Sequence, residues 1–89
     1  MKPVDRLLAT ARAEIGYIEK ETNAHLDDKT ANAGDGNWNK YARDLDALGV
    51  VYNSKKNGYA WCDIFTDWCF IQTFGLELGL QLLCQAKKG

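Results

Sequence analysis

The sequence predicts a mainly α-helical single domain of four helices joined by one long polar loop. Three observations carry this. Apolar residues recur at helical spacing in four stretches. Gly16, Gly49 and Gly75 stand where the first three of those stretches run out. No stretch offers a set of strands. The 89 residues suit one domain with a core of limited size, and no linker, repeat or low-complexity run divides them.

The first helix is predicted from Pro3 to Ile15. Pro3 suits a first turn, and Val4, Leu7, Leu8, Ala11 and Ile15 share one face. Its outer face carries Asp5, Arg6, Arg12 and Glu14, read as solvated surface. Gly16 to Gly36 is the long connection, polar from Thr22 to Asp35 and without periodicity. A loop of that length wraps the surface or borders a site. Asp27, Asp28, Asp35 and Asn37 invite comparison with a calcium loop, but their spacing is not that of an EF-hand, and turn and cap chemistry is the expected use.

Asp35 or Asn37 is expected to cap a second helix whose face is Trp38, Tyr41, Ala42, Leu45 and Leu48, with Gly49 as its stop. Val50-Val51-Tyr52 reads as a short extended piece and Asn53 to Gly58 as a polar turn region. The third helix is predicted from about Ala60 to Thr73, with Phe74-Gly75 as its break. Leu76, Leu80, Leu83 and Cys84 mark a fourth, fraying from Gln85 to Gly89.

The third helix carries the chemistry. Cys62 falls in its first turn, where unpaired backbone N–H groups and the positive end of the macrodipole favour a thiolate over a thiol. Cys69 lies two turns further on, on the apolar stripe, and is expected only to pack. Three cysteines, an odd number, do not make a disulfide framework. Cys62 and Cys69 are seven apart, and the one histidine, His25, lies far upstream, so neither a zinc site nor any other cofactor is expected.

Eleven basic against twelve acidic residues give a formal charge of −1 and no field for nucleic acid. Nothing has the length of a membrane span, and Met1-Lys2-Pro3-Val4-Asp5 lacks an apolar signal core, which predicts synthesis in the cytoplasm.

At this point the residues resemble a known family. Glu14-Ile15-Gly16-Tyr17 with Glu19-Lys20 looks like the start of a CHAP-type domain, the cysteine, histidine-dependent amidohydrolase/peptidase family. Trp61-Cys62-Asp63-Ile64-Phe65 followed by Trp68-Cys69 resembles that family's block of tryptophan, nucleophilic cysteine and a second Trp-Cys pair. Asn37-Trp38 through Tyr41 to Leu48, then Gly58-Tyr59-Ala60, is similar to endolysins carried by prophages of gut Firmicutes.

The resemblance implies a papain-like α+β fold, in which the cysteine helix packs on an antiparallel sheet, and hydrolysis of peptidoglycan amide bonds. Cys62 would be the nucleophile, and Tyr17 or Tyr59 an oxyanion donor beside the backbone N–H of Cys62. In the family the histidine base and its orienting residue follow the cysteine on strands. No histidine follows Cys62 here, and His25 lies outside any family motif. The 89 residues are therefore expected to be the helical half of such a domain, truncated before its sheet and inactive alone.

Trp61, Ile64, Phe65, Trp68, Phe70, Ile71 and Phe74 make the cysteine helix apolar on more than one face, so an exposed patch is expected there. That patch would drive self-association or take a partner chain supplying the missing sheet and histidine. A complete enzyme of this kind would reach the bacterial cell wall through a holin. The alternatives are a non-catalytic interaction module and a plain four-helix domain whose cysteines only pack.

Overall fold

The computed structural model describes residues 2–52, 54–58 and 61–88, without the side chains of residues 62 and 86–88. Four helices follow in order: α1 (Pro3–Arg12), α2 (Lys40–Leu48), α3 (Cys62–Phe74) and α4 (Leu76–Lys88). Helix α3 is central and packs against the other three. Among the described residues there is no strand, only isolated antiparallel bridges from Lys20 to Ala33 and to Trp38, and no helix is long and apolar enough to cross a membrane.

The core is Tyr41, Ala42 and Leu45 of α2 against Ile64, Trp68, Cys69 and Ile71 of α3. Each fully buried aliphatic side chain there contributes roughly 1.5–3 kcal/mol. Leu7 and Ala11 of α1, with Leu76 and Leu80 of α4, pack against it.

Helix α1 stops before the predicted Ile15. Ala13 caps it, and the N–H groups of Glu14 and Ile15 turn back to the carbonyls of Ala11 and Arg12, three residues away. That tighter turn takes Ile15 off the helical face and leaves it 74% exposed, and Val4 and Leu8 are also exposed. The same turn carries Glu14 inward, correcting its reading as solvated surface: its side chain is only 12% exposed.

The cap of α2 is Asn39, not Asp35 or Asn37. Its side chain accepts the N–H of Ala42 at 2.8 Å from extended backbone (φ −161°). Asn37 sits in left-handed backbone (φ 62°), two residues too early to reach that N–H. Trp38 precedes the helix, exchanging backbone hydrogen bonds with Lys20. Gly49 ends α2 with φ 74°, as predicted, although Leu48 is exposed. Residues 50–52 form a bend instead of an extended piece. Asn53 lies outside the described residues.

Helix α3 opens at Cys62 and runs one residue beyond Thr73, to Phe74. The predicted start at Ala60 lies outside the described residues. Helix α4 follows after Gly75 and continues to Lys88, past the expected fraying at Gln85, and Gly89 is not described. Leu83 is buried, but Cys84 is exposed and not on the apolar face. Gly79 lets α4 close on α3: a Cβ there would lie 2.9 Å from Ile71 Cα and 3.0 Å from the Phe70 carbonyl. This closure covers part of the α3 face that was expected to be bare. Ile64, Trp68, Cys69 and Ile71 are buried, while Trp61, Phe65, Phe70 and Phe74 are half-buried.

The long loop is knitted together. Lys29 Nζ donates to the carbonyls of Ala13 and Ile15, and Asn32 Nδ2 donates to Thr22 and Ala24. Asp28 Oδ1 accepts the N–H groups of Thr30 and Ala31, the turn chemistry expected of it. Asp27 pairs with Arg43 at 2.7 Å. Among the described residues no three His, Cys, Asp or Glu side chains converge as a metal site would require.

Candidate active site at the start of helix α3

Cys62 is the first residue of α3, and Trp61 stands before it in non-helical backbone (φ −125°, ψ 12°) with no side-chain cap. The helix start therefore keeps its positive field, which favours an anion at position 62. Exposed Asp63 in the same turn opposes that field in part. The sulfur of Cys62 lies outside the described atoms, so its placement rests on the backbone.

Tyr41 fixes this helix start. Its ring is stacked with Trp61 at 5.6 Å and meets Phe65 edge-on at 4.8 Å, while Tyr17 packs tilted against it at 4.8 Å. Such aromatic pairs add about 0.5–1.5 kcal/mol each beyond burial. Through Trp61 the buried core of α2 thus holds the residue next to the cysteine.

An open groove of about 300 Å³ lies alongside, lined by Glu14, Gly16, Tyr17, Tyr41, Trp61 and Phe65. Its polar element is Glu14, whose Oε1 accepts from the Tyr41 hydroxyl at 3.0 Å and pairs with Lys40 Nζ at 2.6 Å. The Lys40 ammonium also lies 5.4–5.6 Å from the ring centres of Tyr17, Tyr41 and Trp68. Burial, then the Glu14 carboxylate, pushes the Tyr41 phenol far above its ordinary range, so it stays a hydrogen-bond donor.

The other sequence-predicted positions fall as follows. The Tyr17 hydroxyl donates to the Leu26 carbonyl and accepts the Lys40 N–H at 2.9 Å. Its one proton is taken, so it ties the long loop to α2 and is not an oxyanion donor in this arrangement. Tyr59 lies outside the described residues. His25 is exposed in the long loop in left-handed backbone (φ 55°), its carbonyl accepting the Asp28 N–H. Cys69 is buried, and burial followed by the charge of Glu14 pushes its thiol up to about 11. It packs in the core.

The structure adds residues that sequence reasoning passed over. Glu14 lines the groove and is paired with Lys40. Asp67 is buried on α3 and accepts the Tyr52 hydroxyl at 2.5 Å. Asp46 receives the N–H groups of Lys56 and Asn57 and so shapes the turn before Trp61. For Glu14 a signal existed in its own stretch, Glu14-Ile15-Gly16-Tyr17, where a glycine follows closely enough to end the helix before the carboxylate. For Asp67 and Asp46 none did, because their partners are distant in sequence.

No family model, curated protein or solved structure matches this chain.

Proposed function

We propose that the chain is the nucleophile-bearing helical half of a CHAP-type, papain-like cysteine hydrolase that cleaves amide bonds of peptidoglycan, as an amidase or an endopeptidase. The observation that carries the reading is the position of Cys62 as the first residue of α3, unmasked by any side-chain cap on Trp61 and next to an aromatic groove. The sequence resemblance supplies the choice of substrate.

In this reading the Cys62 thiolate attacks the carbonyl carbon of the amide. The backbone N–H at the helix start donates a hydrogen bond to the developing oxyanion. Collapse breaks the C–N bond, the leaving amine takes a proton, and water then hydrolyses the thioester. Proton transfer needs a base near the sulfur, and no histidine follows Cys62 in this sequence. The base and its orienting residue come from outside this sequence, on the same polypeptide or on a partner, and the reaction takes place at the bacterial cell wall.

The test is the pH dependence of alkylation, read residue by residue. Exposed Cys84 and buried Cys69 serve as internal references. Cys62 is expected to titrate below the roughly 8.5 of a free thiol. A Cys62 that reacts no faster than Cys84 at neutral pH overturns the proposal.

A second reading, an interaction module, is favoured by one observation. An open apolar groove between α1 and α4 is lined by Val4, Leu7, Phe70, Phe74 and Leu82, and Val4 is 57% exposed. Sedimentation separates the readings: a stable dimer with an unreactive Cys62 supports the module.

A further inference from the structure

Of the six asparagines in the sequence, Asn57 alone precedes a glycine. A glycine there leaves its backbone nitrogen unshielded by a Cβ and the chain free to swing, so that nitrogen can reach the asparagine side-chain carbon. The pair forms the turn before α3, with Gly58 in left-handed backbone (φ 97°).

That turn is clasped to α2 at two places. Asp46 accepts the N–H groups of Lys56 and Asn57, the latter on Oδ2 at 3.0 Å. Asn57 Oδ1 accepts the N–H of Asn39, the cap of α2, at 3.0 Å. This second bond polarises the side-chain carbonyl. It also fixes a donor on the oxygen that turns negative when a nucleophile adds to Cγ, as an oxyanion hole does. The groups that must move are not tied: Asn57 Nδ2 and the Gly58 N–H engage no acceptor among the described residues. Asn57 is half-buried and lines an open groove of about 590 Å³, through which water can enter and a small leaving group depart.

The other amides are held differently. Asn39 is fully buried with both ends of its side chain bonded, and Asn32 Nδ2 donates to Thr22 and Ala24. Asp35-Gly36, the one pair of related chemistry, is packed: a Cβ on Gly36 would lie 2.1 Å from the Glu21 carbonyl oxygen.

We infer that Asn57 is a self-modification site that deamidates through Gly58 and serves as a slow timer on the turn leading into α3. The Gly58 nitrogen gives its proton to hydroxide and attacks Asn57 Cγ, closing a five-membered imide. The bond from Cγ to Nδ2 breaks, and Nδ2 leaves as ammonia with a proton from water, which restores the hydroxide. Water then opens the imide at either carbonyl, giving aspartate or its isoaspartyl isomer at position 57. Either product adds one negative charge to the formal −1 and sets a second carboxylate beside Asp46. The isoaspartyl form also lengthens the main chain by a methylene between the N–H held by Asp46 and Gly58, which strains the clasp on Asn39. The inference does not rest on the cysteine chemistry, and a chain with an inert Cys62 would still show it.

The test ages the whole chain at mildly alkaline pH, folded and in urea, and maps its peptides by mass spectrometry. The expected result is exchange of NH₂ for OH at position 57. Conversion at Asn23, exposed but followed by alanine, should be slower by roughly tenfold or more, because a Cβ shields the attacking nitrogen. With the Asn39 N–H assisting ring closure, the folded chain should convert at least as fast as the unfolded one. Conversion several-fold slower in the folded chain, or equal at Asn57 and Asn23, overturns the inference. Asn57→Gln, which closes such a ring far less readily, should keep its mass through the same ageing, and a gain that persists in it overturns the assignment to this residue. The isoaspartyl species, separated by charge and chromatography, should exchange the Asn39 amide hydrogen for deuterium several-fold faster than the parent. An unchanged Asn39 exchange rate in that species overturns the timer.

Discussion

Replacing Asn39 by alanine tests how the site is held, because this one buried side chain sets where α2 begins. Its Oδ1 accepts the Ala42 N–H at 2.8 Å and its Nδ2 donates to the Asn37 carbonyl at 3.0 Å. Loss of the cap costs about 1 kcal/mol, and stranding the Asn37 carbonyl beneath the loop costs about another. The sum, about 2 kcal/mol, corresponds to a fall in Tm of roughly 8–16 °C for a domain of this size. The next two residues are Lys40 and Tyr41, so fraying should also loosen the stacking of Tyr41 on Trp61. Thermal unfolding followed by far-UV circular dichroism gives the first number, and the near-UV aromatic signal gives the second. Asn39→Asp keeps the cap acceptor and loses only the donor, so it should recover about half of the deficit. An Asn39→Ala protein within about 0.5 kcal/mol of the parent would show that α2 does not depend on this cap.

Two further perturbations probe buried groups. Lys20 is fully buried, its ammonium lying 4.8 Å from the Tyr17 ring centre with no hydrogen-bond acceptor among the described residues, so Lys20→Met should hold or raise Tm. A fall of more than about 1 kcal/mol would mean that the ammonium is satisfied, for instance by an internal water. The Cys69 thiol is raised from 9.0 to about 11 by burial and by Glu14, so the folded state holds its proton more tightly than the unfolded chain. Stability from this group is complete below pH 9 and is lost as pH rises through 11, by about 3 kcal/mol in all. Urea unfolding at pH 8 and pH 10.5 should show that loss and show less of it in Cys69→Ala, whereas an unchanged difference would assign the alkaline loss to the buried tyrosines.

What the sequence revealed was what short-range chemistry decides. Gly49 was read as a stop because left-handed backbone is easiest for glycine, and it does adopt φ 74°. The placement of Cys62 in the first turn of α3 is readable, because Asn57-Gly58 is a turn and the aromatic residues after it keep helical spacing. The choice of cap was not readable. Asp35, Asn37 and Asn39 are all competent chemically, and what separates them is the Lys20–Trp38 bridge, which holds residue 39 extended at the mouth of α2. That bridge joins residues 18 apart and leaves no local trace.

Glu14 shows the same limit at the site itself. On an uninterrupted helix it would face solvent, but the turn after Ala13 brings it to Lys40 and Tyr41, whose positions depend on Asn39. The floor of the groove is therefore set by a chain of non-local contacts: Lys20 to Trp38, Asn39 to Ala42, Tyr41 to Trp61. Only its last member touches the neighbour of Cys62. If that chain prepares the helix start, Asn39→Ala should slow alkylation of Cys62 and leave Cys84 unchanged. A Cys62 rate insensitive to Asn39 would place the reactivity in the terminus of α3 alone, independent of the groove beside it.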